Sequence, residues 1–196
     1  MLKWQGKPQV DEGTSWHLTP IQQIFFNNNP QGINHYTLSY IVKLARDTSY
    51  EEIIDALTFI KTPHSMLRPR FRKGAEFAWK QYVAPPGASS FALEQHDFVD
   101  RPTMQTVVTK RQAGLDLVKG PVFAADVFNG PGEMQTLLMS AHHVVMDLVS
   151  WRIIWHELSQ YLLISAPLPP PEISFQTWCR AARGAPKARE PACLFS

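Results

Sequence analysis

Two periodicities of apolar and polar residues alternate along the chain. In residues 36–44 apolar side chains stand at every second position, which is the period of a strand with one buried face. Residues 49–63, SYEEIIDALTFIKTP, place apolar residues at helical spacing between a Ser49–Glu52 capping box and Pro63. These segments predict a strand followed by a capped helix.

The same signals, with Gly, Pro and Asn as breaks, assign most of the remaining chain. Strands are predicted at 65–71, 77–83, 91–98, 122–128 and 135–141, and helices from Pro20, at 103–117, from Trp151 to about residue 163, and at 174–182. Pro69 predicts that the first of these strands is bulged or lies at a sheet edge. Turn residues at 129–132 predict that the last two strands form a hairpin. Because helices and strands mix without regular alternation, we expect an α/β fold with a mixed sheet layered with helices.

Apolar side chains indicate where the core lies. Thr19 is the expected N-cap of the first helix, and Ile21, Ile24 and Phe25 share one of its faces. The large aromatic residues are predicted to be core and not a ligand cage, namely Phe25, Phe26, Tyr36, Tyr40, Trp151 and Trp155.

Composition excludes several classes of protein. Of the 196 residues 44% are hydrophobic and 18% are charged, and the net charge of +2 is spread without a basic cluster. Neither nucleic acid nor an anionic membrane is therefore an expected partner. With no apolar run near the roughly 20 residues that span a bilayer, and no secretory signal at the start, we expect a cytoplasmic chain. Cys179 and Cys193 are predicted to be free thiols.

Composition also divides the chain into three parts. Residues 1–165 carry all the predicted strands and are expected to form one lobe. Residues 166–172, APLPPPE, are predicted to be a stiff proline-rich linker. Residues 173–196 are expected to hold a short helix and a disordered tail without usable periodicity.

The segment that carries chemistry is SAHHVVMDLVSWR, residues 140–152, between a predicted strand and a predicted helix. Its two histidines fit three interpretations: core-filling residues, a general base, or metal ligands together with Asp147 and His156. A metal site is disfavoured because adjacent strand residues point to opposite faces and His156 lies about two turns into the helix. A base is favoured because the positive end of the helix dipole keeps an imidazole neutral. Asp147 would brace the loop by capping the helix or by pairing with an arginine.

Four segments follow one another across residues 18–158 in a recognisable order. They are LTPIQQIFF at 18–26, TPHSMLRPRF at 62–71, QAGLDLVKGPVFAADVF at 112–128 and SAHHVVMDLVSWRIIWHEL from residue 140. They resemble the opening motif and the RHxxLRTxF, LDLxxGPL and HHxxxDG elements of the condensation domain superfamily of nonribosomal peptide synthetases. The later segment SFQTWCRA is also similar to that family. Four ordered motifs are far more specific than a pair of histidines.

The resemblance implies the N-terminal lobe of a two-lobed, chloramphenicol-acetyltransferase-like fold. A tunnel between the lobes admits thioesters tethered to peptidyl or acyl carrier proteins by 4′-phosphopantetheine, so no intrinsic cofactor and no metal is expected. Condensation domains join an aminoacyl amine to a second thioester, whereas epimerization domains move the α-proton of a tethered residue. The SWRI that follows the histidine motif, together with LTPIQQIFF, favours epimerization domains.

Residue roles follow from the same match. His143 matches the histidine assigned to chemistry as base or hydrogen-bond partner, and His142 matches a structural histidine. Asp147 matches a structural aspartate, with Arg68 as its expected ion-pair partner and Arg70 as the alternative. Removing one partner of a buried ion pair typically costs about 3 to 5 kcal/mol, so Asp147→Ala is expected to destabilise more than His143→Ala.

Two departures from the family pattern leave other functions open. Leu148 stands where the family has glycine, beside Ser150 on the expected substrate tunnel, and costs about 1 to 2 kcal/mol if positive φ is required there. The second lobe is missing, so an apolar face would be exposed to that lobe or to another copy of the chain. One alternative is therefore a non-catalytic remnant or carrier-protein docking module. Another is a different HxxxD acyltransferase that uses coenzyme A thioesters; a GxSxG nucleophile motif is absent from the sequence.

Overall fold

Two sheets and five helices build the part of the chain that the structure describes. In this computed structural model, the described residues are 10–33, 36–74, 78–85, 87, 91–97, 100–130, 134–164 and 174–184. The predicted linker at 166–172, the predicted disordered tail beyond residue 184 and part of the 129–132 turn lie outside the described residues.

The chain order mixes strands and helices as expected. The strands are β1 Trp16–His17, β2 Thr37–Lys43, β3 Pro69–Lys73, β4 Trp79–Val83, β5 Ala92–Asp97, β6 Phe123–Asn129 and β7 Thr136–His142. The helices are α1 Pro20–Asn28, α2 Tyr50–Lys61, α3 Arg101–Ala113, α4 Leu148–Ile164 and α5 Phe175–Gly184.

The larger sheet is mixed, which confirms the prediction. Its order is β2-β7-β6-β5, with β6 antiparallel to β7 as a hairpin and β5 parallel to β6. Helix α3 connects the two parallel strands, as a parallel pair requires a crossover. A second, antiparallel sheet of order β1-β4-β3 accompanies it, which the sequence did not indicate.

The main core lies where α2 and α4 pack on the mixed sheet. Ile53 and Leu57 of α2, Met139 of β7, and Trp151 and Leu158 of α4 are all buried in it. Each such side chain stabilises the fold by about 1.5 to 3 kcal/mol when fully buried. This packing fixes the end of β7 relative to the start of α4, and the histidine motif connects those two points.

Two predicted elements are shifted by local hydrogen bonds. Helix α3 covers Arg101–Ala113 and not 103–117, because the Asp100 carboxylate caps it by accepting from the Thr103 N–H at 2.9 Å. After Gly114 the chain forms a turn, in which the Asp116 carboxylate accepts hydrogen bonds from the backbone N–H groups of Val118 and Lys119. The predicted strand at 65–71 begins instead with the 3-10 helix Ser65–Leu67, and β3 then starts at Pro69 on a sheet edge, as proline predicted.

The buried face of α1 also differs from the prediction. Ile21 and Ile24 are 72% and 56% exposed, whereas Gln22 and Phe26 are buried. The reason is a partner far along the chain, because the Gln22 amide exchanges hydrogen bonds with the buried Gln81 of β4. Helix α2 has the predicted Ser49–Glu52 capping box, with both hydrogen bonds present.

Candidate functional site

A cleft of about 660 Å³ opens beside the turn between β7 and α4. Its walls come from the start of α1, residues 63–66, residues 143–147, one side of α4 and the start of α5. Its volume lies within the roughly 300 to 1,000 Å³ that is usual for ligand sites. The histidine motif therefore faces a space in which a small molecule fits.

His143 lies on this cleft with one ring nitrogen held by the protein. Its Nδ1 is 2.8 Å from the Met146 carbonyl oxygen. A carbonyl only accepts hydrogen bonds, so Nδ1 carries the proton and Nε2 of the neutral ring keeps its lone pair. The ring stacks on Tyr36 with an interplanar angle of 4° and a centroid distance of 5.6 Å. The side chain is thus oriented like a general base.

His142 points the other way and is 1% exposed. Its Nδ1 accepts the Val144 backbone N–H at 3.2 Å, and its ring contacts Phe25 edge-on. Adjacent strand residues point to opposite faces, which separates a buried histidine from an exposed one. The contacts of His142 shape the turn that presents His143.

Asp147 caps α4 and does not pair with Arg68. Its carboxylate accepts the Ser150 N–H at 2.8 Å, and that hydrogen bond lowers the pKa of the carboxyl group. The Arg68 guanidinium is buried instead against Glu12 at 2.8 Å and donates to the Ala84 carbonyl. The predicted Arg68–Asp147 brace is therefore wrong, because each charge is already satisfied elsewhere.

Arg70 is not the partner of Asp147 either. Its Nε donates to the Lys119 carbonyl at 3.0 Å, and burial lowers the pKa of its guanidinium. Gly120, at φ +79°, lies against that guanidinium, where any Cβ would collide with it.

In TPHSMLRPRF, the position that matches the first arginine of RHxxLRTxF is Pro63, which lines the cleft.

The two residues predicted for the substrate tunnel separate in the structure. Ser150 lines the cleft, whereas Leu148 is 61% exposed and is not among its described lining residues. Leu148 is the first residue of α4, with right-handed helical backbone, so the expected penalty for a positive φ does not apply. His156, the third ligand of the disfavoured metal site, is exposed on α4 and outside the described cleft lining.

Several residues at the site escaped the reasoning from sequence. Tyr36 was expected in the core but is 61% exposed under the His143 ring. The Gln22 amide, which also lies on the cleft, is 3.4 Å from the Val144 carbonyl. His64 Nε2 is 2.7 Å from a Glu157 carboxylate oxygen on the same cleft. The HEL that ends the fourth motif contains Glu157, but its partner is 93 residues away.

Potential metal ligands do cluster elsewhere, on the mixed sheet. Glu94, His96 and Asp126 bring ligand atoms within 4.8 Å of one another. The Arg111 guanidinium binds both carboxylates, at 3.0 Å to Glu94 and 2.7 Å to Asp126. A cation of the protein itself thus already binds both carboxylates and offsets one of their two negative charges. Separately, no helix in the described ranges combines the length and apolar character needed to cross a bilayer.

Comparison with known proteins gives the wider context of this site. The model of the Condensation domain family matches residues 13–189. A nonribosomal peptide synthetase of Aspergillus campestris is 37% identical over 85% of this chain and 2% of its own length. A malformin synthetase of Aspergillus brasiliensis is 38% identical over 84% of this chain and 3% of its own length. The chain therefore spans a small fraction of the curated relatives it matches.

Solved structures agree with the family match. The epimerization domain from the third module of tyrocidine synthetase B superposes with a TM-score of 0.77 at 25% identity, over 89% of this chain and 41% of that one. The condensation domain of the Monacolin K polyketide synthase MokA gives 0.72 at 15% identity, over 87% and 39%. The predicted chloramphenicol-acetyltransferase-like lobe is confirmed. The chain belongs to the condensation domain family and forms one lobe of that fold.

Proposed function

We propose that this lobe holds His143 as the acid-base group for thioesters that a peptidyl or acyl carrier protein presents on its phosphopantetheine arm. The observation that carries the proposal is the Nδ1–H donated to Met146 by a histidine that lines the cleft, because it leaves the Nε2 lone pair free to accept a proton. In peptide bond formation, the amine attacks the thioester carbonyl while Nε2 accepts the N–H proton and passes it to the leaving thiolate. In epimerization, Nε2 accepts the α-proton from one face of the tethered residue, and an acid on the opposite wall donates a proton to the other face of the resulting enolate. His142, Asp147 and Gln22 act as positioning residues.

The lobe supplies one wall of the reaction site in this proposal. A second lobe, or another copy of the chain, would supply the opposite wall and the remaining orientation of the substrates. The SWRI and LTPIQQIFF segments favour epimerization over peptide bond formation. A cytoplasmic location stays a prediction.

The lining of the cleft bears on where the phosphates of a pantetheine ligand would lie. Neither lysine nor arginine lines the cleft among the residues that the structure describes, whereas Asp147 and Glu157 do. Coenzyme A carries several phosphate charges, which proteins normally bind with basic side chains or helix N-termini. Coenzyme A and the carrier-bound arm share the uncharged pantetheine chain, so either ligand would place this chain in the cleft and its phosphates outside the described lining.

Carrier-bound aminoacyl thioesters separate the three candidate functions. The full chain, with and without a separately expressed second lobe, is mixed with them, and peptide or D-residue formation is followed by mass spectrometry. We expect product that His143→Ala abolishes and that His156→Ala, a matched exposed histidine outside the cleft, leaves unchanged. Carrier binding without turnover would identify a docking module, and turnover of coenzyme A thioesters alone would identify the other acyltransferase.

A further inference from the structure

A small apolar recess opens from the cleft wall close to His143. Its volume is about 90 Å³, and Met66, Met146 and Ile153 line both the recess and the cleft. Met146 is the residue whose carbonyl accepts the His143 Nδ1–H. A group held in this recess is therefore adjacent to the residue that orients the proposed base.

The size of the recess restricts what enters it. An apolar cavity of ~150 Å³ accommodates a benzene ring. The recess is smaller, at about 90 Å³, so a branched aliphatic side chain fits it better than an aromatic ring does. Methionine side chains adapt to irregular aliphatic shapes, and two of them form its walls.

The polar groups around the recess disfavour charged side chains. His64 and Ser150 line it, and the Glu157 carboxylate already occupies the His64 ring nitrogen. The carboxylates of Asp147 and Glu157 also line the cleft, and Asp147 is held there by the Ser150 N–H. An anionic ligand would therefore meet negative charge. A lysine side chain would bury its ammonium among apolar groups at a large desolvation cost.

We propose that this recess is the side-chain subsite of the tethered aminoacyl group and that it selects aliphatic side chains from valine to leucine in size. The inference rests on the proposed function, because it assumes that an aminoacyl thioester occupies the cleft. It adds the substrate class, which neither the family nor the histidine motif specifies.

Aminoacyl pantetheine thioesters of valine, leucine, glycine, phenylalanine and aspartate test the selection. The full chain is labelled with ¹³C in its methionine methyl groups, and each thioester is titrated by NMR. We expect valyl and leucyl thioesters to shift the Met66 and Met146 signals and to leave Met139, which is buried on β7 outside the recess, unmoved. Their dissociation constants should be about tenfold below those of the glycyl and phenylalanyl thioesters, as expected for a few buried methylenes.

A variant that narrows the recess provides the matched comparison. Ile153→Phe fills it from the exposed side of α4, whereas Val149→Phe adds the same bulk to an exposed position of α4 outside its lining. The first variant should lose the preference for valyl over glycyl thioester, and the second should keep it. Both sites are exposed enough for the chain to fold, which circular dichroism verifies.

The outcomes distinguish this inference from the proposed function. If all five thioesters bind equally, or if Met66 and Met146 stay unmoved while thioesters bind, the subsite is wrong and the proposed function stands. If no thioester binds, even with the second lobe added, both are wrong. Equal behaviour of Ile153→Phe and Val149→Phe also contradicts the subsite.

Discussion

His142 and His143 are neighbours in sequence, but their hydrogen bonds require opposite tautomers. His142 Nδ1 accepts the Val144 N–H, and His143 Nδ1 donates to the Met146 carbonyl. The first neutral ring therefore carries its proton on Nε2 and the second on Nδ1. The proposed function depends on this difference, because only the second arrangement leaves the Nε2 lone pair able to accept a proton.

We expect long-range ¹H–¹⁵N spectra at pH 8 to show these two tautomers side by side. The His143 signals should disappear in His143→Ala while the Nε2-protonated pattern of His142 persists. His156, exposed on α4, serves as an internal reference for an unrestrained ring. Finding both motif histidines in the same tautomer would contradict the turn geometry on which the proposed base depends.

The Asp147 carboxylate stabilises the start of α4 as an N-cap. Asp147→Ala removes the acceptor of the Ser150 N–H, so the free energy of unfolding should fall by about 1 kcal/mol in urea denaturation at pH 7. Asp147→Asn keeps a capping oxygen and should lose at most about 0.5 kcal/mol. These effects are smaller than the 3 to 5 kcal/mol or so expected for a broken buried ion pair.

The pH dependence of the cap has a definite sign. The Ser150 N–H lowers the pKa of Asp147, so its stabilisation is present above the unfolded-state pKa and disappears as pH falls through the lower, folded-state pKa. The difference in the free energy of unfolding between the native protein and Asp147→Asn should therefore shrink in acid.

A double-mutant cycle of Asp147→Ala with Arg68→Ala should give no coupling beyond about 0.5 kcal/mol. A larger coupling would show that Asp147 and Arg68 interact, in contradiction to the structure.

Among the elements, α5 forms one side of the cleft. Phe175 and Trp178 form part of the cleft wall, and their rings lie 5.8 Å apart. The helix is fixed by buried Gln176, whose amide is 2.8 Å from the Asp11 N–H and 3.4 Å from the Asp11 carbonyl. An exposed ion pair between Arg180 and Asp11 adds a further contact. The cleft is complete on this side only while α5 stays docked.

We expect Gln176→Ala to release α5 from the N-terminal segment. Amide exchange in residues 175–181 should become about 5- to 150-fold faster, because losing a buried hydrogen-bonded amide costs about 1 to 3 kcal/mol. Arg180→Ala is the matched control on the same helix, since an exposed ion pair contributes about 0 to 1 kcal/mol. Equal or reversed effects of the two substitutions would show that the amide pair does not hold the helix.

Considered as a whole, the molecule follows its sequence where the signals are local. Helix α2 has its cap, its apolar spacing and its terminating proline within one stretch, and it was predicted almost to the residue. The buried face of α1 depends on Gln81, which no periodicity reveals. The partner of Arg68 was missed for the same reason, because Glu12 is 56 residues away and the motif suggested Asp147. The resemblance identified the two histidines as candidates, and only the structure shows which groups they contact.

The open side of the cleft determines how the isolated lobe should behave. Ile21, Ile153 and Trp178 line the cleft and are 72%, 47% and 54% exposed, so large apolar side chains are accessible on its surface. We expect the chain to self-associate with rising concentration in sedimentation velocity. Ile21→Gln combined with Trp178→Gln should weaken self-association by about tenfold or more, because each change removes an apolar contact that association would bury. Ile33→Gln is the control, because Ile33 is a matched 73% exposed but lies outside the described cleft lining, and it should leave self-association unchanged. If Ile33→Gln weakens self-association equally, the contact between copies does not involve the cleft.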